Sequence, residues 1–397
     1  MDSFSVDNNI IEIFDCVNFS EYKRRLPFSK NKITITHVNI RSMIKYFWRV
    51  EQIISETGTD IDILIITEAN ISDNIKSLYN INGYTMYTVL RNKQKGGGII
   101  LYIKNYYTFT HINVITRHFE CLLGKVVISS VPLTLCAVYR PPNTNKHQFV
   151  FELDMLLENY NNTDLVLLGD INIDLKLQNS VKKSYMDVMS GHGLLCGISD
   201  YTRIEKYKNK VTKSCIDHIF VRSRLGNAYA AVLGIVLADH RLTTVSLCSD
   251  THIQDAPVYV KRIDNKIFNK YFNEVDWNPI QTMNCPNEIY KYMKDNFINC
   301  YNKAEYKQKL SRSKRNVYGW VNKNIINLCR KRDEFFLHCV KDPTNKEIRV
   351  KYKKIRNKTN KIVQRTRNAY YINQINNSKS NTRKLWEIIN NMTGKIN

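Results

Sequence analysis

The sequence predicts an α/β fold in which two β-sheets pack face to face between outer helices, a four-layer α/β/β/α sandwich, followed by a basic α-helical extension. Residues 31–248 hold many short β-branched runs and few helical stretches, mostly not in alternation, which favours two packed sheets over one parallel sheet. Hydrophobic residues make up 43% of the 397-residue chain, so disorder throughout is excluded. The formal net charge is +23, of which residues 251–397 contribute +19. This uneven charge separates the sandwich from the extension.

The predicted strands fill the first half of the chain. Residues 33–40 alternate in strand fashion, and residues 61–66 form an apolar run typical of a buried strand. The other predicted strands are 98–104, 133–139, 165–168, 216–221, 229–237 and 243–247, and the predicted helices are 42–56, 146–160 and 181–189. The glycines at 96–98, after Lys93 and Lys95, predict a tight turn between two strands. No GKS/T sequence follows them, so a phosphate-binding loop of that type is excluded.

The second half of the chain changes character. Pro257, Pro279 and Pro286 predict an exposed linker over 249–287. From 288 to 397, apolar residues recur at three- and four-residue steps, and residues 341–367 contain eleven Lys and Arg, which predicts long helices with a basic face. The predicted domains are an N-terminal segment over 1–30, the sandwich over 31–248, the linker over 249–287 and a basic helical region over 288–397.

Membrane insertion and secretion are not expected. The longest apolar run, 228–238, has eleven residues, about half of what a membrane-spanning helix needs. Acidic residues stand near the N-terminus, where a signal peptide has a basic and then an apolar segment. The ten cysteines include no CxxC pair and no zinc-like spacing with histidine, so free thiols in a reducing compartment are expected.

Polar residues recur where the predicted strands end. They are Asn39, Glu68, Tyr139, Asp170 with Asn172, and Asp239 with His240, while Asp217 lies inside the run 214–220. A single polar residue at a strand end is most often a turn former. Six such segments in one chain instead indicate side chains that converge on one sheet edge.

The acidic residues among them indicate a cation site. Four carboxylates can share a poorly hydrated cleft only if cations offset their repulsion; here they belong to Glu68, Asp170, Asp217 and Asp239. Oxygen ligands without cysteine favour Mg²⁺ or Mn²⁺ over zinc. His240 directly follows an acidic residue, so a carboxylate can orient it and keep it partly protonated. Such a set suits hydrolysis of a phosphate ester.

In this order and spacing, these segments resemble the motifs of the endonuclease/exonuclease/phosphatase superfamily. Within it, Asn-Ile-Arg-Ser at 39–42, Tyr-Arg-Pro-Pro-Asn at 139–143 and Ile-Asp-His-Ile-Phe at 216–220 most resemble the endonuclease of jockey-like non-LTR retrotransposons. The resemblance covers residues 33–248. It implies a Mg²⁺-dependent endonuclease, with Mn²⁺ as the alternative metal, that nicks target DNA and leaves a 3′-hydroxyl to prime reverse transcription.

The resemblance also implies metal-site and water-activating residues. Glu68 is expected to be the main metal ligand, with Asn39 and Asp239 completing or flanking the metal site. Asp170 and Asn172 are expected to position and activate the attacking water or the phosphate.

The same resemblance assigns the remaining roles. Asp217 is expected to orient His240, and His240 with Tyr139 to bind phosphate oxygens and stabilise the transition state. The expected DNA-phosphate contacts are Arg41, Arg140 and Thr202. Ala238 departs from the pattern, because many relatives carry Ser before the Asp-His pair. Its missing hydroxyl is expected to affect activity without removing a metal ligand.

The second half resembles the same elements. Residues 320–333 are similar to a Trp-x-Thr pattern that lies between endonuclease and polymerase, with departures at Asn322 and Cys329. A reverse transcriptase is expected just beyond Asn397, so the chain is expected to be a fragment or a truncated copy. The expected partners are DNA, the element RNA and that polymerase domain, without a membrane. The expected location is the nucleus, with the cytoplasm as the alternative.

Two other functions fit the sequence. One is a general repair or degradative nuclease of the same fold; a lipid or inositol phosphatase fits less well, because the extension is strongly basic. The other is a catalytically silent protein, derived from a retroelement, that only binds nucleic acid. Binding without Mg²⁺-dependent nicking distinguishes the silent protein from the enzymes.

Overall fold

The computed structural model describes residues 11–27, 31–57, 60–91, 96–128, 131–207, 210–223, 226–249, 259–309, 319–342, 345–378 and 381–393. The chain forms two compact units. The first comprises Met1–Asp255 and Asn316–Asn397, and the second comprises Ala256–Arg315. None of the described helices is both long enough and apolar enough to cross a membrane.

The described elements are numbered along the chain. The strands are β1 (Ile11–Cys16), β2 (Asn31–Asn39), β3 (Ile63–Thr67), β4 (Tyr84–Val89), β5 (Ile99–Lys104), β6 (Thr108–Ile112), β7 (Glu120–Ile128), β8 (Val131–Tyr139), β9 (Asp164–Asp170), β10 (Leu195–Cys196), β11 (Arg203–Tyr207), β12 (Lys210–Ser214), β13 (Asp217–Arg222), β14 (Asn227–Leu237), β15 (His240–Ser249), β16 (Tyr259–Ile263) and β17 (Glu305–Lys309). The α-helices are α1 (Phe19–Arg25), α2 (Met43–Thr57), α3 (Lys146–Glu158), α4 (Ser180–Gly191), α5 (Asn265–Asn273), α6 (Pro279–Thr282), α7 (Pro286–Ala304), α8 (Lys323–Lys341), α9 (Lys346–Asn376) and α10 (Thr382–Thr393). A 3-10 helix spans Asp73–Tyr79.

Asparagine side chains begin several of the helices. The side chain of Asn145 accepts backbone N–H groups at the start of α3, and Asn179 does so at the start of α4. Asn322 and Asn345 cap α8 and α9 in the same way. Each cap satisfies a backbone donor that the helix itself leaves free, which is typically worth ~1 kcal/mol.

Two mixed sheets form the centre of the first unit. The first sheet has the order β1-β14-β15-β2-β3-β5-β4, and the hairpin of β11 and β12 adds to it where Arg203 pairs with His240. The second sheet has the order β10-β13-β9-β8-β7-β6. The pairs β1 with β14, β2 with β3, and β8 with β9 are parallel. The other neighbours along these two orders are antiparallel.

Three apolar clusters hold four layers together. The cluster between the sheets contains Ile35 and Ile65 from the first sheet and Leu135 and Leu168 from the second, all fully buried. A second cluster joins the outer face of the first sheet to α1, α2 and the 3-10 helix. A third joins the second sheet to α3 and α4. Because burial of one such side chain stabilises the fold by roughly 1.5–3 kcal/mol, these clusters dominate its stability, and the predicted four-layer sandwich is confirmed.

The helices α8 and α9 pack onto the outer face of α2. A further apolar cluster joins α8, the residues before it and α9, and Trp48 of α2 packs against this cluster. Its buried residues are Trp320, Val321, Ile325, Cys329 and Val363. Buried charges add to this contact: Arg49 of α2 pairs with Asp333 of α8, and Glu51 of α2 lies 3.3 Å from Arg367 of α9. The C-terminal helices are therefore an integral part of the first unit.

The second compact unit is small. Its hairpin of β16 and β17 is antiparallel, and α5 and α7 contact each other through the rings of Phe268 and Phe297. Cys300 and Ala304 of α7 are buried, while Tyr290 and Phe297 of the same helix are half exposed or more. The described part of this unit thus buries few side chains, and its aromatic contacts are partly exposed.

All the strands and helices predicted in the first half are present. Each predicted strand corresponds to one of β2, β3, β5, β8, β9, β13, β14 and β15, and each predicted helix to α2, α3 or α4. The predicted turn at 96–98 lies between β4 and β5, with residues 92–95, including Lys93 and Lys95, outside the described residues.

The compact units correct the predicted domain boundaries. The sandwich extends in front of residue 31, because β1 pairs with β14. The predicted linker over 249–287 contains β16, α5 and α6. The predicted helical region over 288–397 is divided, with α7 in the second unit and α8 to α10 in the first.

Candidate active site

The predicted site residues meet at one edge of the two sheets. Asn39 ends β2 and Glu68 follows β3, its parallel neighbour. Tyr139 and Asp170 end the parallel pair β8 and β9 and lie directly opposite each other. Parallel strands bring their carboxyl ends to the same edge, which explains this convergence.

Asp217 and His240 reach the same edge in a different way. Asp217 begins β13, which runs antiparallel to β9, and it pairs with Asp170. His240 begins β15, which runs antiparallel to β2. Asp217 is therefore the first residue of its strand and not, as the sequence predicts, inside it. Antiparallel strands start at the edge where their neighbours end, which brings Asp217 and His240 to the site.

Asn39 links two carboxylates. Its Nδ2 donates to Glu68 Oε1 and to Asp170 Oδ2, both at 2.7 Å. Its Oδ1 accepts the backbone N–H of Arg41 at 2.9 Å. With its nitrogen on the carboxylates and its oxygen on the backbone, Asn39 bridges Glu68 and Asp170. Of the two predicted positions, completing or flanking the metal site, this geometry corresponds to flanking.

Asp217 and His240 form a buried pair. His240 Nδ1 lies 2.8 Å from Asp217 Oδ2, and both side chains are almost fully buried. This contact is the one that the predicted role of Asp217, orientation of His240, requires. It fixes the ring orientation and directs Nε2 away from Asp217.

Thr202 holds the backbone beneath this pair. Its Oγ1 accepts the N–H groups of Ile216 at 3.1 Å and of Asp217 at 2.9 Å, and its side chain is fully buried. A hydroxyl engaged in this way cannot reach a DNA phosphate. The predicted DNA contact of Thr202 is therefore wrong, and its role is to place Asp217.

The three buried titratable groups differ in the direction of their pKa shifts. Burial raises the pKa of Asp170 to about 7, and the neighbouring carboxylate of Asp217 adds to the rise. Burial also opposes ionisation of Asp217, but the charge and hydrogen bond of His240 hold the pKa of Asp217 below its ordinary value. Burial disfavours the imidazolium of His240, yet Asp217 and then Asp170 raise the pKa of His240 to about 9. Near neutral pH, the site thus contains two different groups. The carboxyl of Asp170 can gain or lose a proton, and His240 is an imidazolium.

His37 lies beside Asp217 and was not predicted. Its Nδ1 is 3.9 Å from Asp217 Oδ1, and its Nε2 is 3.0 Å from Thr67 Oγ1. Burial lowers the pKa of His37 to about 4, so the ring is neutral. The two-residue period of β2 places His37 on the same face as Asn39, and this spacing is the sequence signal that could have found it.

Backbone strain concentrates at this edge. In the described part of the chain, the non-glycine residues with positive φ are Arg41, Glu68, Asn70, Asn172 and Ala238, with φ between 48° and 58°. All five flank strand ends at the site. Such conformations cost of order 1–3 kcal/mol each and typically occur at functional sites. Ala238, the predicted departure, is one of them.

Gly169 allows β8 and β9 to approach each other next to Asp170. Its φ is 150°, and a Cβ atom there would lie 1.8 Å from the carbonyl oxygen of Val138. Any larger residue would push the two strands apart. The glycine of the Gly-Asp-Ile-Asn motif is therefore required for the position of Asp170.

Arg140 supports the loop behind Asp170. It is fully buried, and its guanidinium donates to the carbonyl oxygens of Ile171 at 2.7 Å and of Asn172, Pro141 and Thr144 at 2.9 Å. Asn172 in turn donates from Nδ2 to the Arg140 carbonyl at 2.9 Å. The predicted DNA contact of Arg140 is wrong, because its donors are engaged inside the protein.

Asp239 is held by two arginines. Arg41 Nη2 and Arg203 Nε both lie 2.7 Å from Asp239 Oδ2. Asp239 Oδ1 is buried, lies 4.0 Å from His240 Nε2 and has no hydrogen-bond partner in the described structure. Only this second oxygen remains for the predicted metal site. Arg203 was not predicted, and no local pattern marks it.

The residues fit a divalent cation. Asp170, Asp217 and His240 offer ligand atoms that all lie within 4.8 Å of one another. The raised pKa of His240 makes it an imidazolium that cannot bind a cation, and Asp217 is paired with it, so of these three residues Asp170 remains as an oxygen donor. Glu68 and the free Oδ1 of Asp239 add oxygen donors, which hard divalent cations prefer.

Tyr139 lines the same site. Its side chain is buried at 5% exposure. Burial raises the pKa of Tyr139, and the carboxylates of Glu68 and Asp170 raise it further. The phenol is therefore neutral and can donate a hydrogen bond.

Comparison with known proteins identifies one family for this region. The model of the endonuclease/exonuclease/phosphatase family matches residues 37–250, which is more than half of the chain and includes every site residue described above. No match was found among the curated proteins compared with the chain.

Several solved structures are similar to part of the chain. The endonuclease domain of TRAS1, a telomere-specific non-LTR retrotransposon, is 13% identical, with 54% of this chain and 98% of that domain covered and a TM-score of 0.44. An endonuclease/exonuclease/phosphatase family protein from Bacteroides thetaiotaomicron is 18% identical, with 55% and 98% covered and a TM-score of 0.44. A 3′-5′ exonuclease from Neisseria meningitidis is 17% identical, with 54% and 98% covered and a TM-score of 0.41.

Proposed function

The chain belongs to the endonuclease/exonuclease/phosphatase family, and on this premise we propose that it is the Mg²⁺-dependent endonuclease of a non-LTR retrotransposon. It has the nuclease and phosphodiesterase fold of that family. The proposed reaction is hydrolysis of one phosphodiester bond in DNA, which nicks the strand and leaves a 3′-hydroxyl as primer for reverse transcription.

The observation that carries this proposal is the arrangement of two pairs at one sheet edge. Asn39 joins the carboxylates of Glu68 and Asp170 through 2.7 Å hydrogen bonds. Asp217 orients His240 at 2.8 Å. The acidic pair supplies a proton acceptor for the attacking water, and the imidazolium of His240 supplies a positive charge for the phosphoryl oxygens.

Asp170 is proposed to take the proton from the attacking water. Its Oδ2 is held by Asn39 and its Oδ1 accepts the N–H of Asn172 at 3.1 Å, so both oxygens have fixed positions. Burial raises the pKa of Asp170 to about 7, close to the value at which a general base works best near neutral pH.

His240 and Tyr139 are proposed to bind the phosphoryl oxygens. The imidazolium of His240 adds positive charge where negative charge develops, and the neutral phenol of Tyr139 adds a hydrogen bond. Both side chains are rigid because they are buried, so little reorganisation is needed as the reaction proceeds.

Glu68, with the free Oδ1 of Asp239, would hold the cation. Oxygen ligands favour Mg²⁺, with Mn²⁺ as the alternative. When bound, such an ion polarises the phosphoryl group and offsets its developing charge. In this protein Asn39 keeps Glu68 beside Asp170, and Arg41 with Arg203 keeps Asp239 in place.

The basic C-terminal helices favour a nucleic-acid substrate over a lipid or inositol phosphate. Residues 251–397 contain 31 Lys and Arg against 12 Asp and Glu. Duplex DNA attracts such a surface through its phosphates. The motifs at 39–42, 139–143 and 216–220 favour the retrotransposon role, with the element RNA and a reverse transcriptase as further partners and the nucleus as the location.

A nicking assay tests this proposal. Supercoiled plasmid should be converted to open circles by the purified chain with Mg²⁺ and remain intact with EDTA. The nicked product should be extended by a DNA polymerase without further treatment, because the proposed cut leaves a 3′-hydroxyl. Tight binding without nicking in either Mg²⁺ or Mn²⁺ would instead support the silent nucleic-acid-binding protein.

A further inference from the structure

The triple glycine at 96–98 supports the loop that carries Glu68. Gly96, Gly97 and Gly98 all have positive φ, at 84°, 79° and 89°. Their backbone is joined to the loop after β3: Ala69 N donates to Gly98 O at 3.1 Å, and Asn70 N donates to Gly97 O at 2.9 Å. Three successive residues in this conformation are accessible only to glycine without strain. The glycines therefore form one wall of the site.

This wall contains an ion pair. Gly98 N donates to Glu120 Oε2 at 2.6 Å, and Glu120 Oε1 pairs with Arg91 Nε. A Cβ atom on Gly97 would lie 2.5 Å from Glu120 Oε1 and 2.7 Å from Arg91 Nε. Gly97 thus makes room for the pair, since a Cβ atom at that position would force the two side chains to shift.

The ion pair holds Arg91 against Tyr139. The guanidinium carbon of Arg91 is 6.0 Å from the centre of the Tyr139 ring. The Arg91 side chain is 26% exposed, whereas that of Glu120 is 11% exposed. The Glu120 carboxylate is therefore the more buried of the two groups. The Arg91 guanidinium is partly exposed and lies beside Tyr139, the residue proposed to bind the phosphoryl group.

We propose that Arg91 binds a backbone phosphate of the DNA strand next to the cleaved bond. This inference rests on the proposed function and adds a residue to its substrate contacts. An arginine has five N–H donors in a planar fork, so its Nη groups can hold a phosphate while Nε stays on Glu120. Bidentate contacts of this kind are typical of arginine and phosphate.

Glu120 acts as a positioning residue for Arg91. A buried carboxylate that fixes the guanidinium lowers the loss of side-chain freedom when the phosphate binds. On the other side of the site, Asp239 holds Arg41 and Arg203 in the same manner. A strand that crosses the site would therefore meet an oriented arginine on each side.

The test compares Arg91→Gln, Glu120→Gln and the double variant with the natural chain. Binding to a short DNA duplex is measured by fluorescence anisotropy in EDTA over a series of salt concentrations, and nicking is measured separately with Mg²⁺. Arg91→Gln should weaken binding by on the order of tenfold. It should also reduce the slope of log affinity against log salt by about 0.9, the value of one phosphate contact on duplex DNA.

The double variant separates substrate binding from a structural role. If Arg91 contacts phosphate, the double variant should bind as weakly as Arg91→Gln and keep the reduced slope. If Arg91 only neutralises Glu120, the double variant should recover the affinity and the slope of the natural chain, which would overturn the proposal. An unchanged slope in Arg91→Gln would also overturn it.

Lys23→Gln is the matched control. Lys23 is 53% exposed and pairs with Asp60 at 2.8 Å, and Asp60 precedes β3 whereas Glu68 follows it. The charge that Lys23→Gln removes therefore lies near the start of β3, whereas the site lies at its end. Neither the affinity for DNA nor the salt slope should change by the amount expected for Arg91→Gln. Because binding is read in EDTA, a natural chain that fails to nick would refute the proposed function and still leave the Arg91 contact measurable.

Discussion

His240 Nδ1 lies 2.8 Å from Asp217 Oδ2. His240 is the first residue of β15 in the first sheet, and Asp217 is the first residue of β13 in the second. The pair is sealed from solvent and has Asp170 as a further acidic neighbour. A hydrogen bond between charged partners in such surroundings is stronger than one at the surface. It therefore sets both the orientation of the imidazole and its charge.

Replacement of His240 tests this role. His240→Gln should lower turnover on plasmid DNA by about 10² or more, as expected for a lost electrostatic stabiliser, while binding in EDTA changes little. The reason is that the imidazolium acts mainly on charge that develops during the reaction. A variant that loses affinity but keeps its turnover at saturation would contradict the assignment.

The pH dependence of nicking should be bell-shaped. Activity needs Asp170 without its proton, so it should rise as pH increases toward the raised pKa of Asp170, about 7. Activity also needs the imidazolium, so it should fall as pH passes the raised pKa of His240, about 9. A bound cation stabilises the carboxylate, so the acidic side should move to lower pH as Mg²⁺ increases. The alkaline side should be absent from His240→Gln.

Glu68 and Asp170 should both be essential for the reaction. Glu68→Gln and Asp170→Asn keep the shape of the side chain and remove its charge, so folding and DNA affinity should be nearly unchanged while nicking falls by about 10² or more. Asp60→Asn, before β3, is the control and should keep its activity. Normal nicking by both site variants in Mg²⁺ would refute the site assignment.

Thr202 should act through Asp217. Thr202→Val removes the acceptor of two buried N–H groups, so the free energy of unfolding should fall by about 1–3 kcal/mol or more, and turnover should fall because Asp217 loses its support. Thr202→Ser restores the hydroxyl and should recover most of both properties. Urea denaturation and nicking rates measure the two effects, and a valine variant with weaker binding but full stability would favour a DNA contact instead.

Arg140 should contribute to the stability of the fold, and Arg41 to DNA affinity. Arg140→Gln removes several buried hydrogen bonds and should destabilise the fold by about 3 kcal/mol or more. Arg41 is 43% exposed and bound to Asp239, so Arg41→Gln should reduce DNA affinity and its salt slope with little effect on stability. Thermal unfolding and salt titrations of the two variants distinguish these roles, and the reverse outcome would contradict both.

Removal of the C-terminal helices should damage the sandwich. A chain cut after Asp250 keeps every proposed site residue, and from the sequence alone it would be expected to nick DNA. The structure shows that this cut exposes Trp48 and leaves Arg49 and Glu51 on α2 without Asp333 and Arg367. The cut removes the apolar cover that α8 and α9 place on α2, and burial of one large apolar side chain stabilises a fold by roughly 1.5–3 kcal/mol, so the truncated chain should unfold at a lower temperature. An equal melting temperature would show that α8 and α9 are dispensable for stability.

The sequence predicts those strands and site residues that are marked by the pattern of their own neighbouring residues. The runs that became β2, β8 and β9 carry their own periodicity, and Asn39, Tyr139 and Asp170 stand where those runs end. The role of a side chain was harder to predict, because it depends on partners far away in the chain. Arg140 and Thr202 have the residue types of phosphate contacts, yet both are buried, and both make their hydrogen bonds to backbone groups of segments distant in the sequence.

Other features had no local signal. Arg203 reaches Asp239 only because β11 joins the first sheet beside His240. The sequence predicts a separate N-terminal segment over 1–30, since β14, the pairing partner of β1, lies more than 200 residues away. The sequence predicts an extension for the basic helices because their charge dominates, while the buried face that contacts α2 is formed by a few residues spread over α8 and α9.

The pairing of the first strand with β14 has a consequence for synthesis of the protein. Ile11 of β1 pairs with Ala228 of β14, and the hydroxyl of Tyr22 in α1 donates to the carbonyl of Tyr229, 207 residues later, at 2.7 Å. Strand β2 likewise requires β15. A ribosome adds roughly 5–20 residues per second, so the amino-terminal strands wait on the order of 10–40 seconds for their partners. During this interval the apolar side chains of β2 and β3 are open to chaperones and to other nascent chains. Slow translation or clustered ribosomes on one message should therefore lower the yield of active protein more than the stability of the finished fold suggests.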